Sequence, residues 1–248
     1  MFETDITFYF TAIPAVLIYG ISKGGLGGAL GTIAIPLMTM TTAPARAAAI
    51  LLPILLVMDV IAIACHHRHA CWHQLRQMLP GALAGIALAA IFMKVVSPAL
   101  LAGAVGVLCV LFAIQFYCHF QPAADKAAST ARATFWSMIS GISSTLIHAG
   151  GGPASIYLLP LKLPKETLIA TMAVFFGVVN LVKLIPYWLM EQLNSANLAT
   201  ATLLMPLALL GVWLGVKFLN RASHRLIYQI CHFSLLLSGL KLIVDSMN

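Results

Sequence analysis

Apolar stretches of about twenty residues recur along this chain, over 5–22, 45–65, 76–96, 98–120, 166–189, 196–219 and 224–244. A helix rises about 1.5 Å per residue, so each stretch is long enough to cross the roughly 30 Å hydrocarbon core of a bilayer. A further stretch, 134–161, has the same apolar character but is interrupted by glycines. The pattern predicts an all-α polytopic membrane protein of about eight transmembrane helices.

Composition agrees. The chain is 61% hydrophobic and 8% charged, with a mean hydropathy of +0.97, against about 25% charged residues in a soluble domain. That leaves no room for a soluble catalytic domain. The net charge of +7 suggests nucleic acid only until positions are read. Most Lys and Arg residues stand at span ends, where membrane proteins collect them on the inner side, and a nucleic-acid partner is excluded. Glu3 and Asp5 make the start acidic, so the first apolar run reads as a retained span, not a cleaved signal. The five cysteines are odd in number, and three lie in apolar spans, so no disulfide framework is expected.

Two halves are visible, 1–120 and 134–248, joined by the polar linker QPAADKAASTARA at 121–133. GIS at 20–22 matches GIS at 141–143; with three extra residues, Gly27-Gly28 fall on Gly151-Gly152 and Pro36-Leu37 on Pro160-Leu161. Pro80 then pairs with Pro206, Gly85 with Gly211, and Ser97 with Ser223. The expectation is an internal duplication of four spans plus four, with the first helix of each repeat broken at its glycines. Such repeats are common in transporters, which place their site at the repeat interface. A four-span unit makes the repeats parallel. The cations disagree: Arg68 and Arg76 follow the second span, while Lys162, Lys165, Lys217, Arg221 and Arg225 lie in loops facing the other way on that count. A broken segment that changes the parity would invert the repeats.

The glycine motifs are GISKGGLGGALG (20–31) and GISSTLIHAGGGP (141–153). Glycine costs about 1 kcal/mol in a helix interior, and non-helical backbone survives in a bilayer only where protein or a wet cavity surrounds it. Helices restarting near Gly28 and Pro153 would aim backbone N–H groups at a common point, an arrangement that binds anions. The candidate substrate-binding residues are Ser22, Lys23, Gly24, Gly25, Gly27 and Gly28 from the first motif. The second motif contributes Ser143, Ser144, His148, Gly150, Gly151 and Gly152. Gly81, Gly85, Gly211 and Gly215 read instead as helix-packing glycines.

Lys23, Asp59 and Lys183 are charges inside apolar spans, where functional roles are the default. Asp59 and Lys183 occupy equivalent repeat positions and would either pair with each other or serve the site. Asn180, three residues before Lys183, shares its helix face, and Arg46 is a further candidate cation. Asp59 and His148 are the candidates for coupling a proton. The histidine-rich CHHRHACWH (65–73) fits no tight metal motif, and Arg68 opposes a cation there. It reads as a basic interfacial loop, with no metal and no cofactor expected.

On these residues the chain resembles the sulfite exporter TauE/SafE family, the TSUP membrane transporters, over nearly its whole length. The resemblance rests on GISKGGLGG and on GISSTLIHAGGGPASIYLLPLK. It implies a secondary transporter, an exporter, of small sulfur-containing anions such as sulfite, thiosulfate or organosulfonates across the plasma membrane, in bacteria the inner membrane. The implied partners are the small anion, the lipid bilayer and a coupling proton, with a homodimer among the open assembly states. Rival readings are a passive anion channel, a carboxylate transporter, and a membrane enzyme or metal protein built on the histidine loop.

Overall fold

The computed structural model describes residues 5–28, 34–92, 97–118 and 129–247. Its helices are α1 (Ile6–Gly25), α2 (Ala34–Thr39), α3 (Pro44–His66), α4 (Trp72–Phe92), α5 (Pro98–Tyr117), α6 (Thr130–Ile147), α7 (Gly151–Leu158), α8 (Lys165–Leu189), α9 (Ser195–Arg221) and α10 (His224–Met247). Side chains start several of them. Asp5 accepts the Thr7 N–H at 2.9 Å, Ser129 that of Arg132 at 3.3 Å, and Asn194 that of Asn197 at 2.9 Å. Each meets an N–H that has no carbonyl ahead of it in the helix.

Among the described residues, the segments Ile6–Gly25, Ala45–His69, Lys165–Leu189, Ser195–Arg221 and His224–Met247 are long and apolar enough to cross a membrane. The radial distribution is inside-out relative to a soluble protein. Phe10, Ile91, Leu100 and Trp188 are 70% exposed or more, whereas Lys23, Asp59, Asn180 and Lys183 are at most 2% exposed. Apolar side chains on the outside and charges within are stable only against lipid, so this is a multi-pass helical membrane protein.

Glycine contacts give the helix directions. Gly20 lies against Ala208 and Gly211, and Gly24 against Val212 and Val216, so α1 and α9 run parallel. Gly81 lies against Thr134 and Ser137, and Gly85 against Met138 and Ile142, so α4 and α6 also run parallel. By contrast α5 and α10 are antiparallel, with Gly103 at Ser246 and Gly106 at Gly239. So are α3 and α8: Leu52 packs on Tyr187, Asp59 bonds Asn180, and Ile63 covers Gly177.

Exchanging the halves maps α1·α9 onto α6·α4 and leaves α3·α8 and α5·α10 in place. Two segments return the chain toward the end from which it came. After α1 the chain comes back so far that Thr41 Oγ1 sits 2.7 Å from Thr11 Oγ1. After α6 it comes back until Tyr157 OH donates to Gln74 Oε1 at 2.5 Å, near Thr134, which bonds the Gln77 carbonyl.

The return segments also account for the basic residues. Lys165 donates to the Leu219 and Ala222 carbonyls, Tyr228 to that of Leu163, and the Cys71 N–H to Thr171. These bonds gather Arg68, Arg76, Arg132, Lys162, Lys165, Lys217, Arg221 and Arg225 at one end of the bundle. At the other end, among the described residues, stand Arg46 and Lys241 with Asp5, Glu191 and Asp245. The cations of the two halves face the same way, contrary to the simple span count.

Candidate functional site

The two breaks end α1 and α6 in the same manner. The Ser22 carbonyl accepts the N–H groups of Leu26 and Gly28, at 2.8 and 3.0 Å. The Ser143 carbonyl accepts those of His148 and Ala149, the latter at 3.2 Å. In the first break the left-handed residues are Gly27 and Gly28, with φ of 61° and 84°. In the second, the left-handed residue is His148, φ 53°. For a residue with a Cβ that conformation costs about 1–2 kcal/mol. It persists where surroundings over-determine it, commonly at functional sites.

Between the breaks lies a buried polar chain drawn from α1, α3, α6 and α8. Lys23 donates to Asp59 Oδ1 at 2.5 Å, and Asn180 donates to Oδ2 at 2.7 Å. Lys183 donates to Asn180 Oδ1 at 3.4 Å and to Ser144 Oγ at 3.2 Å. Every member is at most 4% exposed. Aromatic faces flank both ammoniums: Phe176 lies 4.9 Å from Lys23 Nζ, and Tyr187 lies 5.9 Å from Lys183 Nζ. Two lysine amines share one carboxylate in an apolar interior, where ionisable groups have functional roles by default.

His148 closes the chain. Tyr187 OH donates to the Thr145 carbonyl at 3.2 Å and stands 3.3 Å from His148 Nδ1, while His148 Nε2 is buried without a hydrogen-bond partner. A cavity of about 10 Å³ remains, lined by Tyr19, Lys23, Gly28, Ser144, His148, Gly150, Gly151, Phe176 and Asn180. The first turn of α7 reaches it through Gly151, whose N–H lacks a carbonyl ahead of it in the helix.

Of the residues expected at the site, Lys23, Gly28, Ser144, His148, Gly150, Gly151 and Asn180 line this cavity, and Asp59 and Lys183 anchor the chain behind it. The others stand elsewhere. Gly24 and Gly25 face α9, where a Cβ would run into the carbonyls of Val212 and Gly215. They are packing glycines, and the Gly24 carbonyl accepts from His66 Nε2 at 3.1 Å. Gly27 faces Met172 and Gly152 faces Cys109. The Ser143 hydroxyl is committed to backbone carbonyls, among them Ile139 at 2.8 Å, as in-helix hydroxyls often are. Ser22 acts through its carbonyl, and its side chain is buried.

Arg46 sits thirteen positions before Asp59 on α3, about 20 Å along the axis. It lines a separate cleft with Glu191, Gln192, Asn194 and Asn197. Asp59 pairs with Lys23, not with its repeat-equivalent Lys183. Pro153 is the third residue of α7, which starts at Gly151. The restart expected near Gly28 falls on 29–33, outside the described residues, and the next described helix begins at Ala34. The loop histidines are engaged separately: His67 Nδ1 is 3.0 Å from the Ile63 carbonyl, and His73 Nε2 is 3.1 Å from Gln77. Among the described residues no group of three or more His, Cys, Asp or Glu is placed to hold a metal.

Sequence reasoning missed Tyr19, Phe176 and Tyr187. The signal for the last two was present, since Phe176, Asn180, Lys183 and Tyr187 recur at helical spacing and share one face of α8.

Long helices with apolar exteriors and a charged network at the core define a polytopic membrane protein built to handle a polar solute. The sulfite exporter TauE/SafE family matches residues 12–242, and the chain belongs to that family. It is a family of membrane transporters of sulfur-containing anions, not of enzymes. No curated protein and no solved structure matches the chain.

Proposed function

We propose that this chain is a secondary transporter that exports a small sulfur-containing anion, such as sulfite, thiosulfate or an organosulfonate, across the plasma membrane. One observation carries the reading: a buried chain with two lysines and a single carboxylate, ending on an unpartnered histidine nitrogen between the two helix breaks. Lys183 and Lys23 supply charge to the anion; Ser144, Asn180 and the N–H of Gly151 supply hydrogen bonds. Among the described residues, the eight helices of eighteen or more residues are read as spans in two inverted repeats, 1–120 and 134–248, linked through 121–133. The basic end faces the cytoplasm, so residues 5 and 247 both lie on the outer side.

Alternating access is favoured over an open channel because the cavity, about 10 Å³, has no room for a tetrahedral anion and scarcely holds one water. The helices must part to load it, and the breaks at Gly27-Gly28 and His148 are where they can bend.

The test is thermal stabilisation of the purified protein by sulfite, thiosulfate, sulfoacetate, sulfate and acetate, with Lys183→Met alongside. A ligand that binds only the folded state raises stability with occupancy. Selective stabilisation by sulfur anions, lost in Lys183→Met, is the expected result. Stabilisation by acetate alone moves the substrate to carboxylates, and an unchanged response in Lys183→Met removes this site from the mechanism. Lys183 is the better probe than Lys23, whose removal strands a buried carboxylate.

A further inference from the structure

We propose that Tyr187 sets the protonation form of His148 so that each anion binds together with one proton, an inference that rests on the anion-transport reading above. The geometry at the second break leads there. A carbonyl oxygen only accepts, so the Tyr187 hydroxyl, 3.2 Å from the Thr145 carbonyl, donates its hydrogen to that oxygen. The phenolic oxygen, 3.3 Å from Nδ1, then accepts from an Nδ1–H. That choice leaves Nε2 of the neutral ring as a bare lone pair, buried without a partner on a residue that lines the cavity.

A lone pair repels an oxyanion, so an anion in the cavity requires hydrogen on Nε2. Turning the Tyr187 hydroxyl onto Nδ1 would provide it by a change of tautomer, but it would strand the buried Thr145 carbonyl. The remaining route keeps Nδ1–H on Tyr187 and adds a proton from solvent at Nε2, giving the imidazolium.

The surrounding charges make the two events depend on one another. His148 has around it Lys183 and Tyr187 on α8 and Lys23 and Tyr19 on α1, with Asp59 on α3 behind Lys23; on α5, Cys109 packs beyond the break against Gly152. The Asp59 carboxylate is already held by Lys23 and Asn180. A positive charge on the buried imidazole, beside two lysines, is stable only when a negative one enters with it. The proton therefore comes in with the anion and leaves with it. Tyr187 acts here as a positioning residue, since its hydroxyl works through the imidazole.

The experiment is calorimetric titration of the purified protein with thiosulfate and with sulfoacetate, which hold no titrating proton near neutrality, in buffers of different ionisation heat. The wild type is expected to take up about one proton per anion above neutral pH, with affinity falling about tenfold per pH unit. His148→Asn, a residue that tolerates the left-handed conformation, should bind more weakly and take up none. Tyr187→Phe keeps the packing but frees the tautomer, so it should bind with uptake well below one. Binding without uptake in the wild type, or full uptake in Tyr187→Phe, overturns the proposal while leaving the transporter reading intact. If neither anion binds the wild type, thiosulfate and organosulfonates leave the substrate class and this inference falls, while the sulfite arm of the thermal test still decides the transport reading.

Discussion

Lys23→Met removes one half of an ion pair whose charged atoms lie 2.5 Å apart with both side chains 2% exposed. At an effective dielectric of about 20 the gross attraction at that distance is roughly 7 kcal/mol. Desolvation costs several kcal/mol per ion, so the pair as a whole contributes little net stability. Its separation is another matter. In Lys23→Met the Asp59 carboxylate stays buried with only the Asn180 amide against it, and in Asp59→Asn the ammonium stays buried without its counter-charge. Each single variant should lose about 3–5 kcal/mol, which for a chain of this size lowers the melting temperature by roughly 6–20 °C. The double variant Lys23→Met/Asp59→Asn buries no charge at this position and keeps an amide for Asn180, so it should return to within about 1–2 kcal/mol of wild type. Tryptophan-fluorescence melts in detergent on the four proteins give the cycle, with an expected coupling of about 3 kcal/mol or more. Additive losses, with the double variant the least stable, would show that the two groups do not stabilise one another and would refute the buried pair.

Further expectations concern packing, strain and orientation. Gly24→Ala and Gly85→Ala place a methyl on the backbone of α9 and α6 and should each cost about 1–3 kcal/mol, read as a lower melting temperature. Gly28→Ala would meet only the Lys23 stem, at 3.9 Å, but has a φ of 84°; it should cost about 1–2 kcal/mol through conformation alone, with Gly28→Asn milder. His148→Gly should be more stable than His148→Ala by about 1 kcal/mol, since both remove the imidazole and only glycine takes the left-handed φ without strain, and both should eliminate proton uptake on anion binding; equal stability would contradict the strain. A cysteine at Lys162 should react with an impermeant reagent only from the cytoplasmic side, and one at Asn194 only from outside. The reverse pattern would invert the orientation.

Much of the fold is legible in hydropathy because each span must satisfy its own backbone in lipid, and only a helix of about twenty apolar residues does so. The window 45–65 becomes Pro44–His66, and 224–244 becomes His224–Met247. Glycine clusters and intramembrane charges likewise stand out in the sequence, since both are costly in a plain spanning helix. What each does was not legible. Gly24 and Gly28 are the same residue four positions apart, yet one admits the backbone of α9 and the other adopts a left-handed φ. Local sequence cannot separate these demands, because both ask only for a missing Cβ.

Tertiary structure also decided chain direction and charge partners. The apolar stretch 134–161 looks like one span, and only long-range contacts such as Tyr157 with Gln74, 83 positions apart, reveal that the chain turns back within it. Long-range bonds such as those of Lys165 to Leu219 and Ala222 likewise bring the basic residues to one end. Lys23 pairs with Asp59, 36 positions away, leaving Lys183 without a carboxylate. Composition recorded that charges lie in apolar spans; the packing of α1, α3, α6 and α8 determined which lysine meets the carboxylate.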